Sequence, residues 1–233
     1  MRLAFAIALL LTCAACNKED APAEDVARAA EHLVAPTASQ SALAQGKWAP
    51  QDTCDKLEGA DEFRRSLATA IKARNVDAVV ALAADDVKLD FGGGTGSAEL
   101  RKRLADPSLG LWGELDALMA LGCSANKEGG ITIPWFFDQE FGETDPYYAM
   151  LVTGENVPLY ERPDPASKPV ATISWDLVEI ASLNPEGAYQ RVELPDGKVG
   201  FIATDKLRSL IDYRLSASSR NGRWRIISFV AGD

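Results

Sequence analysis

Tyr189-Gln190-Arg191-Val192-Glu193-Leu194-Pro195-Asp196-Gly197-Lys198-Val199-Gly200-Phe201-Ile202 is the stretch on which the reading of this chain turns. Asp196-Gly197 reverses direction, because glycine accepts the positive φ that a tight hairpin needs. Gly200 lets another backbone come close before Phe201 packs. Outward from this hairpin, the chain from Val152 onward breaks into short strand-like runs separated by turn residues, the pattern of a small all-β unit. Beyond it, Leu210 to Ser218 and Trp224 to Val230 flank Asn221-Gly222, a second strong hairpin signal.

Upstream the period changes. Phe63, Leu67, Ala70 and Ile71 recur at helical spacing behind Asp61, which is read as the helix cap. Asp77 opens a short helix with Val79, Val80 and Leu82. Val87-Lys88-Leu89-Asp90-Phe91 alternates as a half-buried strand does. Gly92 to Gly96 leads into a helix from Ser97 to Leu104, with Ser97 as its cap. Asp106-Pro107 starts the next helix, which carries Leu111, Trp112, Leu115, Leu118 and Met119 and ends at Gly122. Strands are expected at Ile131 to Phe137 and Tyr147 to Val152.

The N-terminal end reads as an export signal: Arg2, an apolar run from Leu3 to Leu11, then small residues. The run is well short of the roughly 20 residues that cross a bilayer. Ala14-Ala15-Cys16 resembles the lipobox of bacterial lipoproteins, with Cys13 where Leu is usual. That resemblance implies diacylglycerol on Cys16, cleavage before it, and lasting attachment to a membrane through acyl chains. A soluble secreted protein cleaved after Ala21 or Ala23 is the alternative. Residues 17 to 50 are rich in Ala, Pro, Ser, Gln and acids and read as a tether, since they offer little apolar surface to offset chain entropy.

The net charge of −10 becomes one unit more negative once Arg2 leaves, which argues against nucleic acid and against adhesion to anionic lipid through protein charge. Beyond Cys16, which the resemblance assigns to lipid, two cysteines remain, Cys54 and Cys123. In an oxidising compartment they are expected to form one disulfide, closing a loop of about 70 residues and contributing on the order of 4 kcal/mol. A pair of buried free thiols is the other reading.

The segment from Leu151 to Leu207 resembles the bacterial SH3-like (SH3b) domain. The residues that carry the resemblance are Val157-Pro158-Leu159-Tyr160, Pro169 to Ile173, Leu177 to Ile180, Tyr189 to Leu194, Asp196-Gly197-Lys198-Val199-Gly200-Phe201-Ile202 and Asp205-Lys206-Leu207. Trp175-Asp176 stands where Lys-Gly is usual, and Gly187-Ala188-Tyr189 where Gly-Trp-Tyr is usual. The resemblance implies a small β-barrel that binds rather than catalyses, with Tyr160, Tyr189 and Phe201 as ligand-binding residues. Asp90-Phe91-Gly92-Gly93 and the run Gly222 to Phe229 look similar to the curved-sheet cones of nuclear-transport-factor-like and polyketide-cyclase-like proteins. That likeness implies that the last hairpin returns to the first unit.

Candidate chemistry is sparse. The single histidine, His32, falls in the tether, so a Ser-His-Asp triad, a Cys-His pair or a His-rich zinc site is not expected in the folded region. Gly92 to Ser97 lacks the Lys-Ser/Thr of a phosphate loop, and a tight strand-to-helix connection explains it. Asp138, Glu140, Glu143 and Asp145 crowd one loop without EF-hand spacing, as a solvated loop would. Asp90 is the carboxylate to inspect as a base, although its place beside glycines favours a turn-stabilising role. A partly exposed cluster among Trp135-Phe136-Phe137 and Tyr147-Tyr148 would mark a partner surface.

The expected architecture is therefore α+β: a leader over 1–15, a tether over 16–50, a mixed helix/strand unit over 51–150, an SH3-like barrel over 151–209 and a C-terminal hairpin over 210–233. The expected function is non-catalytic binding of an envelope protein, a peptide or a cell-wall component, with no cofactor, no metal and no nucleic acid. The competing expectation is a small-molecule or histidine-free enzymatic pocket in the first unit.

Overall fold

A computed structural model describes residues 45–180, 182–184 and 186–232. The leader, Cys16, His32 and the expected tether up to residue 44 lie outside the described residues. The described chain is α+β, with two open sheets and four α-helices.

The first sheet has the order β1-β12-β11-β3-β2. Its strands are β1 (Ala83–Lys88), β2 (Ser124–Ala125), β3 (Ile131–Ile133), β11 (Arg214–Arg220) and β12 (Arg223–Val230). Helices α1 (Ala60–Lys72), α2 (Val76–Ala81), α3 (Ser97–Ala105) and α4 (Leu111–Met119) supply the rest of this layer. Phe63, Leu67, Ala70 and Ile71 of α1 are buried together with Leu100, Leu115, Leu118, Ile131, Leu215 and Ile226, so the helical spacing marks the core face. The C-terminal hairpin occupies the middle of this sheet: β12 runs parallel to β1 and β11 antiparallel to β3. Asn221 and Gly222 both have positive φ, as their hairpin turn demands. The first unit is therefore discontinuous in sequence.

Between β3 and β11 the chain builds the second sheet, of order β10-β4-β7-β8-β9-β5-β6. Its strands are β4 (Ala149–Val152), β5 (Val157–Tyr160), β6 (Pro169–Ile173), β7 (Leu177–Ile180), β8 (Tyr189–Glu193), β9 (Val199–Ala203) and β10 (Leu207–Ser209). Alternate residues of these strands, Leu159, Val178, Val192 and Ile202 among them, fill one core. A Cβ on Gly200 would lie 2.6 Å from Leu159 Cγ and 2.7 Å from Tyr160 O, so glycine is required by the close approach. The expected barrel is corrected to an open sheet, with β10 and β6 as its edges. After the three residues of β10, the chain turns at Leu210–Asp212 back toward the first sheet instead of extending the ladder.

A third cluster joins the two sheets: Trp48, Leu121, Trp135, Phe136, Ala149, Leu151, Leu177 and Leu210. Met150 and Val152 face the second core while Ala149 and Leu151 face this seam, which explains why β4 is apolar at every position. Trp48 is 4% exposed and its N–H donates to Trp175 O at 2.8 Å, so the packed region begins before the expected boundary at residue 50.

Several local expectations shift. Gly59 and Gly96, rather than Asp61 and Ser97, hold the cap positions of α1 and α3, and Asn75 caps α2 by accepting from Ala78 N–H. Positive φ at both glycines turns the chain into the helix, leaving Asp61 and Ser97 inside the first turn. β1 lies four residues earlier than the alternation suggested, ending at Lys88. Asp106 caps a short 3₁₀ turn over Pro107–Leu109, and α4 starts only after Gly110. The strand expected to reach Phe137 stops at Ile133: Pro134 has no N–H for the ladder, and Trp135–Asp138 form a 3₁₀ turn.

Cys54 and Cys123 form the expected disulfide, with Cα atoms 5.8 Å apart and both residues fully buried. The bond sits beside a parallel bridge in which Thr53 N–H donates to Cys123 O and Cys123 N–H to Gln51 O. Asp52 accepts from Cys54 N–H and forms a buried ion pair with Arg64 at 2.6 Å. Replacing both cysteines with serine should lower unfolding free energy by about 2–5 kcal/mol in denaturant titration. An unchanged midpoint would show that the bridge leaves stability untouched.

Candidate functional site

The second sheet buries one face and leaves the other outward. Tyr160 of β5 lies directly opposite Phe201 of β9, and Phe201 opposite Arg191 of β8. Directly opposed residues share a face, so Tyr160, Phe201 and Arg191 point the same way, with Tyr189 and Val199 two residues along their strands. Tyr160 and Tyr189 meet edge to face with ring centroids 6.1 Å apart. The three aromatics singled out in the sequence are thus brought together, each half-exposed, on the outer face of one sheet. Burial and the nearby Tyr160 hold the Tyr189 phenol above its ordinary pKa.

Alongside lies a cleft of about 340 Å³ whose lining includes Glu143, Asp145, Tyr148, Glu179, Arg191 and Glu193. Tyr148 is 59% exposed and Tyr147 is 57% exposed, while Trp135 and Phe136 are buried in the seam. The aromatic-rich segments therefore divide: the first pair serves the core and the tyrosine pair serves the surface. Arg191 and Glu193 border both the cleft and the aromatic patch, making one continuous surface along β8. The surface offers flat aromatic contact, one guanidinium and several carboxylates, a set suited to holding a ligand.

The other candidates resolve differently. Asp90 Oδ1 accepts from Gly92 N–H at 2.8 Å and Gly94 N–H at 2.7 Å, and Oδ2 is paired with Arg103. The Arg103 hydrogen bond, followed by that from Gly94, holds the Asp90 carboxyl below the ordinary carboxylate range, the wrong direction for a general base. A Cβ at Gly94 would fall 2.0 Å from Asp90 Oδ2. Two glycine N–H groups that a phosphate would need are thus engaged by Asp90, and Gly96 N–H donates to Val87 O.

Among the described residues, the acidic loop brings no three ligand atoms within 4.8 Å of one another; the one group that meets this distance is Asp52, Cys54 and Cys123, whose sulfurs are committed to the disulfide. No helix among the described residues is long and apolar enough to cross a membrane. Compared with protein-family models, curated proteins and solved structures, the chain matches none.

Asp90→Ala should loosen the glycine loop, seen as faster amide exchange at Gly92 and Gly94 and a lower Tm. Because the folded pKa is lowered, the wild-type contribution is present above the unfolded carboxylate pKa and is lost as pH falls through the folded value. Exchange rates equal to wild type would remove the stapling role.

Proposed function

We propose that this chain is a non-catalytic binding lipoprotein of a bacterial cell envelope, anchored by lipid on Cys16 and facing the periplasm, with an SH3-like second unit as its recognition module. The observation that carries the proposal is the half-exposed patch of Tyr160, Tyr189 and Phe201 on the outer face of the second sheet. Aromatic side chains lose little conformational entropy when covered and supply large contact area, which is why such patches serve as docking surfaces. The ligand is an envelope protein, a peptide or a wall component, and Arg191 with the adjoining carboxylates orients it. The export-like leader supports the location, and a sequence with a single histidine, His32, in the stretch read as a tether supports binding over catalysis.

The full-length protein should take up labelled palmitate, and Cys16→Ala should abolish that label. Purified in detergent, it should co-sediment with isolated wall sacculi or cross-link to an envelope protein through a photoreactive group at Val199. Tyr160→Ser with Phe201→Ser should weaken that association at least about tenfold, a loss of roughly 1.4 kcal/mol. Palmitate label that persists on Cys16→Ala defeats the anchor, and association unaffected by the double substitution defeats the aromatic face.

A further inference from the structure

A second cleft, of about 510 Å³, opens on the first unit and shares no lining residue with the cleft beside the aromatic patch. Three segments meet there: Gln51 and Thr53 beside the disulfide, the β2–β3 hairpin from Ser124 to Glu128, and the 3₁₀ turn carrying Trp135, Asp138 and Gln139. The volume suits a small ligand or one or two units of a longer one.

Its lining is polar, and several polar groups are fixed before any ligand arrives. Asn126 Oδ1 accepts from Gly130 N–H at 2.8 Å, which sets the orientation of its amide. Gln139 Nε2 donates to Trp135 O at 3.2 Å, leaving its carbonyl oxygen as an acceptor. Trp135 is 8% exposed, yet among the described residues its indole N–H donates to no protein group. Asp138 keeps one side in solvent, while lost hydration holds its carboxyl above the ordinary value against the hydroxyls of Thr132 and Ser124.

Ligand classes separate on this chemistry. An anion would meet Lys127 alone, with Glu128 and Asp138 opposing it. An apolar ligand would cover the open Gln139 carbonyl oxygen and the solvent-facing side of the Asp138 carboxyl without giving them partners. A neutral molecule with adjacent hydroxyls satisfies them, because each hydroxyl both donates and accepts, and a pair of hydroxyls matches the paired atoms of an amide or carboxyl. The apolar face of a sugar ring also tolerates the indole edge. We propose that this cleft is a saccharide-binding site, with Asp138, Asn126 and Gln139 addressing ring hydroxyls and Trp135 closing the floor. It is separate from the aromatic face and stands or falls independently of it.

The test uses full-length protein in detergent with two probes, an N-acetylglucosamine tetramer and a glucose tetramer. At least one should give saturable quenching of tryptophan fluorescence at millimolar concentration or below, with amide shifts at Asn126, Trp135 and Gln139. Asp138→Ala and Asn126→Ala should each raise the half-saturation at least about tenfold, while Tyr160→Ser with Phe201→Ser should leave it unchanged. Should either cleft variant fail to fold by circular dichroism, Gln139→Ala serves in its place. Absence of saturable binding for both sugars, shifts confined to the second sheet, or cleft variants that bind as wild type would each overturn the assignment.

Discussion

The apolar seam between the two sheets is the contact on which the molecule depends. Trp48, Leu121, Trp135 and Phe136 come to it from one side, and Leu151, Leu177 and Leu210 from the other. A fully buried side chain of this size contributes roughly 1.5–3 kcal/mol relative to exposure. The polar link across the same junction is weaker by nature: Arg208, buried on β10, reaches Glu114 of α4 at 3.5 Å and Asp212 at 3.3 Å. Desolvation, then the nearby Asp212, holds the Glu114 carboxyl above its ordinary range, and Arg208 Nε is buried without a partner among the described residues. Such a network contributes little net stability, because desolvation of its charges offsets their attraction.

The seam also decides what is left for function. Because β4 buries both faces, the second sheet is held near one end, and its strands β8, β9 and β5 present an outer face that stays half-exposed. The aromatic patch lies there. The polar cleft forms where the seam residue Trp135 brings Asp138 and Gln139 beside the β2–β3 hairpin. Cys54–Cys123 and the pairing around it hold Gln51 and Thr53 in the same place.

Much of this is legible in the sequence. The runs of alternating residues between Val157 and Ala203 form strands, because alternation and turn residues agree there, and Asn221-Gly222 forms its hairpin for the same reason. The helix faces of α1 and α4 follow apolar spacing. The pairing of Cys54 with Cys123 came from cysteine count and compartment. Trp48 was lost in a polar stretch, since one aromatic among alanines carries no period. The apolar run Trp135 to Phe137 predicts a strand, and apolar residues alone do not distinguish a strand from a buried turn. Asp138 was grouped with its sequence neighbours, whereas its neighbours in space come from residues 51–53 and 124–128, a juxtaposition no local pattern records. Tyr160, Tyr189 and Phe201 follow from the resemblance to the SH3-like domain, not from any local spacing, and the β5–β9 and β8–β9 pairings put them on one face.

Native-state hydrogen exchange on Leu210→Ala against wild type tests the seam most directly. Leu210 is 1% exposed, so truncation should cost about 2–5 kcal/mol. If the seam makes one cooperative body, amides of β8–β9 and of β11–β12 lose protection by the same amount. Loss confined to one sheet, with the other unchanged, would contradict the account.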